Sequence, residues 1–413
     1  MKNNFLSEIT ERGYFHQGTN AHKLDEILTN SSIKAYIGFD CTAPSLHVGS
    51  LLQIMLLRTL QRYGHQPIVL LGGGTTLIGD PSGKDTTRKI LNTKTINENI
   101  KSIKKSFLNL LDNKNKKTKP LFVDNSKWLT KLNYINFLRN IGKHFTINKM
   151  LSFDSVKLRL EREQSLSYME FNYMILQAYD FYKLNKDYKC ALQIGGSDQW
   201  GNIVNGVELI RKISQQEAYG LTTPLITLSS GAKMGKSEKG AIWLNKEMFS
   251  PYDYWQFWRN TADNDVERFL KFFTDIKIEQ INKIIKEEND INKLKILLAN
   301  EATRLLHGVK LAKDSEKTAR ETFKNKGAGK NLPEIKISKS LLNKGIGILD
   351  FLASNNIALS KSDARRTIQN NGIKINDALI SDEKLIINIK YFQKNDYIKV
   401  SSGKKKHFIV KCV

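Results

Sequence analysis

Lys233 and Lys236, in 233-KMGKS-237, set two cations three residues apart among small residues. Such a loop can neutralise the charge growing on a departing pyrophosphate, an effect exerted mainly in the transition state. It is not a P-loop, because that motif needs four residues between its glycines and only three separate Gly231 from Gly235. Taken alone, the stretch reads equally well as a solvated run of charge. A second candidate is 47-HVGS-50, with Thr42 upstream. His47 could donate to a phosphate oxygen, and Gly49 would let a nucleotide approach the backbone. In isolation that turn is equally plain loop punctuation. Lys84 and Arg88, at and just beyond the end of 78-IGDPSGK-84, could reach the same oxygens. In 170-EFNYMILQAYDF-181, Tyr173, Gln177 and Asp180 fall at i, i+4 and i+7 and so share one helix face. That stripe can bind an ammonium and a hydroxyl together, although Tyr173 could also be a core aromatic. In 195-GGSDQWGN-202, two glycines precede Asp198 and Gln199, and a carboxylate there suits ribose hydroxyls.

These residues need a scaffold. Between residues 33 and 228, β-like runs at 35–40, 66–73, 119–125, 190–196 and 224–229 alternate with helical patterns at 48–63, 84–111, 126–141 and 168–184. The alternation predicts a mostly parallel sheet with helices on both faces. Ligands in such sheets bind beyond the carboxyl ends of the strands, where strand order reverses. The turns GFD, LGGGTT, VDN and IGGSDQ follow those ends, so the site should be assembled from them. From 246 to about 325 the pattern is helical and aromatic-rich, 324-KNKGAGKNLPE-334 reads as linker, and a small basic α+β unit follows from 346. That unit holds twelve Lys or Arg against six Asp or Glu.

The whole chain of 413 residues carries a net charge of +24, from 65 Lys and Arg against 41 Asp and Glu. A polyanionic partner follows, since clustered cations gain affinity by releasing counterions from nucleic acid. Lys, Asn and Ile are abundant throughout, however, as in an AT-rich coding sequence. Cys41, Cys190 and Cys412 form no CxxC pair, which argues against a disulfide framework or a zinc site. No run approaches 18 apolar residues, and the first 18 residues lack a signal-peptide core, so a cytoplasmic protein without membrane contact is expected.

Five segments, 36-YIGFDCTAPSLHVGS-50, 72-GGGTTLIGDPSGK-84, 172-NYMILQAYD-180, 193-QIGGSDQWGN-202 and 233-KMGKS-237, closely resemble the bacterial tyrosyl-tRNA synthetase family of class I aminoacyl-tRNA synthetases. The resemblance runs from about residue 5 to the C-terminus. It departs at Cys41, where the family usually has proline, and at Ser50, which replaces the second histidine of the His-x-Gly-His signature.

The resemblance implies an α/β fold: a Rossmann-like parallel-sheet catalytic domain over 1–230, a mobile loop over 231–245, an all-α domain over 246–325, a linker over 326–345 and a small α+β RNA-binding domain over 346–413. It also implies the chemistry. Tyrosine is activated with ATP to tyrosyl-adenylate and pyrophosphate, and the tyrosyl group then passes to the 3′ end of tRNA(Tyr). Tyr36 and Asp180 would bind the phenol hydroxyl; Asp80, Tyr173 and Gln177 the ammonium; Gln199 the tyrosyl group; and Asp198 the ribose. Thr42, His47, Lys84, Arg88, Lys233, Lys236 and Ser237 would stabilise the triphosphate and pyrophosphate. Gly38, Asp40, Gly49, Ser50 and Gly196 would complete the ATP site, with Mg²⁺ accompanying ATP and no protein-bound metal. Arg365, Arg366 and Lys374 would face RNA, and the family suggests a homodimer. Two other readings are a tryptophanyl-tRNA synthetase relative, disfavoured by the hydroxyl-binding pair, and an RNA-binding protein with a retired active site, favoured only by Ser50.

Overall fold

The computed structural model describes residues 4–81, 91–229, 231, 234–237, 240–324, 332–392, 397–403 and 406–413. The chain divides into two compact units, one of 1–249 with 260–306 and the other of 250–259 with 307–413. The helices of 246–325 are thus shared between the units: 266–273, 278–287 and 291–307 fall almost wholly in the first, and 251–259 and 309–324 in the second.

A six-stranded sheet forms the centre of the first unit. Its strands are β1 (Gln17–Gly18), β2 (Lys34–Asp40), β3 (Gln66–Gly72), β4 (Leu121–Asp124), β5 (Cys190–Gly196) and β6 (Tyr219–Thr223), in the order β1-β6-β5-β2-β3-β4. Only β1 runs antiparallel to its neighbour. The continuous apolar runs of β2, β3 and β5 have side chains buried on both faces, as central parallel strands require. Order reverses at β2, which pairs with β3 on one side and β5 on the other, so that Tyr36 lies between Ile68 and Gln193.

Helix α1 (Leu51–Arg62) follows β2, α2 (Thr93–Leu110) precedes β4, and α3 (Tyr173–Tyr188) and α4 (Trp200–Ser214) flank β5 in sequence. Asn92 starts α2 by accepting from the Thr95 N–H, satisfying an otherwise unpaired first-turn donor. Upstream of α3, Ser167 and Glu170 form a reciprocal capping box.

Three expectations are corrected. The last strand is 219–223, with no strand at 224–229, because Pro224 lacks the N–H needed to extend the ladder. The helical pattern at 126–141 breaks into 126–129 and 134–140, and Asn133 starts the second piece by accepting from the Asn136 N–H. Within the expected linker, Glu334–Ile337 pairs in parallel with Lys406–Cys412 and Lys339–Lys344 is helical, which makes this segment part of the second unit's folded core.

The N-terminus is tied to a distant part of the same unit. Arg12, fully buried, donates to the carbonyls of Lys271, Thr274 and Ile276 at 2.7, 3.1 and 2.8 Å. The Tyr14 hydroxyl donates to the Phe272 carbonyl at 2.5 Å, and Arg58 pairs with Asp275 at 2.6 Å.

In the second unit, Tyr397–Ser402 and Lys406–Cys412 form a hairpin flanked by Ile373–Ile375 and Glu334–Ile337. Ile348–Ser354 and Lys361–Gln369 supply helical cover, with Phe351, Leu352 and Ile368 in the core.

Candidate active site

A cleft of about 320 Å³ opens beyond the carboxyl ends of β2, β3 and β5, at the reversal of strand order. Tyr36 and Asp180 lie in its lining, both essentially inaccessible to solvent. Among the described residues, the Tyr36 hydroxyl has no hydrogen-bond partner. Asp180 accepts from Asn125 Nδ2 at 2.8 Å and from Trp128 Nε1 at 2.7 Å, which leaves carboxylate lone pairs for a further donor. Burial pushes the Asp180 carboxyl up to about 7, against the pull of these two hydrogen bonds, and the charges of Asp40 and Asp124 add to the rise. Burial also lifts the Tyr36 phenol well above its ordinary value, with Asp180 and Cys190 contributing. A buried hydroxyl without a partner, beside a partly satisfied carboxyl, is the chemistry expected of a pocket for another hydroxyl.

Asn125 organises this end. Besides reaching Asp180, it accepts from the Gly74 N–H at 2.7 Å and donates to Thr75 Oγ1 at 3.1 Å. Thr75 in turn donates to Asp40 Oδ1 at 2.8 Å, and the Tyr173 hydroxyl donates to Asp40 Oδ2 at 3.2 Å. Higher in the cleft, Asn202 Nδ2 donates to both Gln177 and Gln199, at 3.0 and 3.1 Å. Gln199 Nε2 reaches Asp80 at 2.9 Å. Asp80, Gln177 and Gln199, expected around the amino-acid portion, therefore form one connected polar wall. Gly38, Gly49, Ser50, Gly196 and Asp198 line the same cleft.

The turn after β2 is held by side chains. The Cys41 N–H donates to Thr76 Oγ1, and the Cys41 carbonyl accepts from Asn99 Nδ2, both at 2.8 Å. Burial and the neighbouring Asp40 push the Cys41 thiol up to about 12, which leaves it inert as a nucleophile. Thr42 is exposed beside it. Half-buried His47 accepts the Gly49 N–H at Nδ1, 3.0 Å away, so a neutral ring carries its proton on Nε2. Ser50 stands at the start of α1, and its hydroxyl makes no cap with the helix.

Residues 234–235 and 242–244 meet this turn. Val48 N–H donates to the Ile242 carbonyl and Leu244 N–H to the Leu46 carbonyl, each at 2.9 Å. Gly235 has φ +96°, and a Cβ there would lie 2.7 Å from His47 Nδ1 and 2.9 Å from the Gly49 nitrogen. Only glycine permits both that conformation and that approach. Lys236 and Ser237 pair as a short strand with Gly240–Ala241, so their backbone lies beside the turn; their side chains fall outside the description. Lys84, Arg88 and Lys233 lie outside the described residues.

Sequence reasoning missed Asn125, Trp128, Thr75 and Asn202. The motif 195-GGSDQWGN-202 contains Asn202, but nothing local connects Asn125 or Trp128 to a carboxylate more than fifty residues away. In the second unit, Arg365 and Arg366 are exposed on the helix Lys361–Gln369, paired with Glu383 and Asp363 at 2.9 Å, and Lys374 is exposed on the strand Ile373–Ile375.

Comparison with known proteins adds five findings. Residues 28–324 match the family described as tRNA synthetases class I (W and Y), and 323–410 match a tyrosine–tRNA ligase SYY-like C-terminal domain. The tyrosine–tRNA ligase of Pelagibacter ubique is 61% identical over 411 residues, covering 100% of both chains. That of Bartonella quintana is 53% identical over 411 residues, 99% of each. The structure of a C-terminally truncated Aspergillus nidulans mitochondrial tyrosyl-tRNA synthetase matches 78% of this chain and 94% of its own, with 32% identity and a TM-score of 0.70.

Proposed function

The chain belongs to the class I tRNA synthetases, with the activity of a tyrosine–tRNA ligase, and from that premise we propose how its own residues divide the work. The tyrosine carboxylate attacks the α-phosphorus of ATP, expelling pyrophosphate, and the terminal ribose hydroxyl of tRNA(Tyr) then attacks the activated carbonyl. No protein nucleophile takes part; positioning and charge stabilisation carry the rate.

The observation that carries this reading is the buried pair at the base of the cleft, Tyr36 with a hydroxyl unpartnered among the described residues and Asp180 with lone pairs to spare. A phenol hydroxyl satisfies both, donating to Asp180 and accepting from Tyr36. Phenylalanine would leave the Tyr36 hydroxyl and the spare Asp180 lone pairs unsatisfied in a dry site, and an indole offers no hydroxyl. Above that pair, Asp80, Tyr173 and Gln177 take the ammonium, Gln199 the tyrosyl group and Asp198 the ribose. The cleft turns carrying Gly38, Asp40, Gly49, Ser50 and Gly196 accept ATP.

Thr42 and His47 stabilise the triphosphate in the transition state, and Lys84, Arg88, Lys233 and Lys236 neutralise the leaving pyrophosphate, with Ser237 closing the loop. Support comes from the approach of Gly235 to His47, which brings the backbone of the lysine-bearing stretch to the His47 turn. Mg²⁺ would travel with ATP on the phosphate oxygens, as is usual for this ion. Ser50 offers a hydroxyl where the family signature has its second histidine.

The 346–413 module, with Arg365, Arg366 and Lys374, would grip the tRNA away from its acceptor end. A second copy of the chain would cover the exposed apolar side chains of Tyr134, Ile135, Ile147 and Tyr168, giving a homodimer. No helix among the described residues is long and apolar enough to cross a membrane, and a cytoplasmic site of work fits a tRNA substrate.

Amino-acid-dependent ATP–pyrophosphate exchange without tRNA tests this reading, with tyrosine, tryptophan and phenylalanine supplied separately. Exchange with tyrosine alone is expected. Folded protein that binds RNA yet exchanges with none of the three would make Ser50 a disabling substitution.

A further inference from the structure

We infer that the exposed lysine face formed by the outer side of α2 and the loop after it binds the phosphate backbone of RNA, as a contact surface of the catalytic unit separate from the C-terminal module. Residues 101–119 hold seven lysines and a single acidic residue, Asp112. Lys101, Lys104 and Lys105 project from one face of α2, whose opposite face buries Ile103, Phe107 and Leu110. Lys114, Lys116, Lys117 and Lys119 follow on the loop, and all seven are exposed. Lys104 lies over the Phe122 ring with its Nζ 4.9 Å from the centroid, within cation–π range.

An AT-rich coding sequence would scatter lysines, but it would not explain how this loop is held. Gln61, on α1 and largely buried, spans its ends: Nε2 donates to the carbonyls of Asp112 and Thr118 at 2.9 and 2.7 Å, and Oε1 accepts the Asp112 N–H at 2.9 Å. Inside the loop, Asp112 and Asn115 side chains accept the N–H groups of Lys114 and Lys117 at 2.8 and 3.0 Å. The lysines are therefore displayed on a pre-shaped support, which reduces the ordering cost of binding.

RNA fits better than an anionic membrane. Leu108 is the single large apolar side chain exposed on this face, too little to anchor in a bilayer, and the stretch 112–119 presents lysines, asparagines and one aspartate with no exposed aromatic or aliphatic side chain. The inner face of α2 also braces the cleft: Asn99 holds the Cys41 carbonyl, and Ser102 and Ser106 bond the Asn245 side chain at 2.8 and 2.7 Å. RNA lying on the lysines would thus rest on the outside of the helix that supports the site. This inference rests on the RNA-charging function proposed above.

The test measures affinity of the full chain for a tRNA(Tyr) transcript across a series of KCl concentrations, for wild type, a Lys114→Ala/Lys116→Ala/Lys117→Ala variant and the matching three Lys→Arg changes. At about 0.7–0.9 per neutralised phosphate, the alanine variant should flatten the log–log salt slope by about 2 and weaken binding roughly tenfold or more at 0.1 M salt. The arginine variant should restore both. Tyrosine-dependent pyrophosphate exchange without tRNA should be unchanged in all three proteins. Unaltered slope and affinity in the alanine variant overturn the inference while leaving the enzyme assignment intact, whereas absent exchange in wild type counts against that assignment. Loss of binding to phosphatidylserine vesicles, with tRNA binding unchanged, would also overturn it and mark a membrane surface instead.

Discussion

Thr76→Val is the most incisive single change available at the turn after β2. Thr75 and Thr76 hold successive residues there, Thr75 donating to the Asp40 carboxylate and Thr76 accepting the Cys41 N–H. Cys41 is completely buried, so valine, nearly isosteric with threonine, would leave its N–H unpaired out of reach of water. The cost of such an orphan is about 1–3 kcal/mol. The turn can avoid part of that cost only by shifting, and the shift would carry Thr42 and the approach to His47 with it. If the whole cost appears in activation, kcat/KM for ATP falls by roughly 5- to 150-fold. The family to which this chain belongs usually has proline at position 41, and proline has no N–H to satisfy. Cys41→Pro should therefore abolish the penalty of Thr76→Val.

The assay is a double-mutant cycle on pyrophosphate-exchange kinetics at varied ATP, paired with hydrogen exchange of the peptide spanning 36–46. A coupling of about 1–3 kcal/mol between the two substitutions is expected, with faster exchange at Cys41 in the single Thr76→Val protein. Strictly additive effects would refute the reasoning, since they would mean that Thr76 acts through something other than the Cys41 N–H.

Asp180→Ala should remove much of the preference for tyrosine over phenylalanine, for which enzymes of this specificity are themselves the standard example at about 10⁵; unchanged selectivity in that variant would remove Asp180 from the hydroxyl pocket. In wild type, the Asp180 carboxyl held up to about 7 binds its proton far above the unfolded value, so it contributes stability at acid pH that is lost as pH rises through 7, while the carboxylate needed by the phenol forms over the same range. The KM for tyrosine should accordingly fall as pH rises from 6 to 8, and Asp180→Asn should flatten that dependence. Gly235→Ala, with φ at +96° and its Cβ against His47, stores about 1–3 kcal/mol of strain and should lower kcat of activation by at least about fivefold, with tyrosine affinity unchanged by calorimetry. Truncation near residue 330 should spare adenylate formation and impair tRNA charging, and undiminished charging would exclude the C-terminal module from tRNA binding.

Much of the catalytic unit could be read from sequence because its central strands are short apolar runs ending in glycine or aspartate, and such runs have few alternatives to a buried parallel sheet. Strand 219–223 was harder: YGLTT carries a glycine and two threonines, while the more apolar-looking PLITLS beside it begins with a residue that cannot extend the ladder. The segment 332–344 looks like a tether because its neighbours are glycine and lysine, yet Ile335 and Ile337 alternate with charged residues at the spacing of an edge strand. At the site, Asp180 and Tyr173 announced themselves by helical spacing. Asn125 and Trp128 did not, because their function exists only once β4 lies beside β3 and the 126–129 turn faces α3. Periodicity reports which face a residue occupies; it does not say which residue from another element will meet it there.

The ties from Arg12, Tyr14 and Arg58 to residues 271–276 place a demand on synthesis. The carbonyl partners of Arg12 are made 259 residues or more after it. At about 5–20 residues per second, the ribosome takes roughly 13–50 s to supply them. Throughout that interval the growing N-terminal half carries a guanidinium held only by Glu8, at 2.7 Å, and a phenol destined for burial, both still lacking their distant carbonyl acceptors, although the strands of the central sheet are already complete by residue 223. The sheet can therefore form before its first helix is sealed. Slow codons between 224 and 270 would prolong that exposed interval, and they are where a change silent at the protein level would most affect the yield of native enzyme.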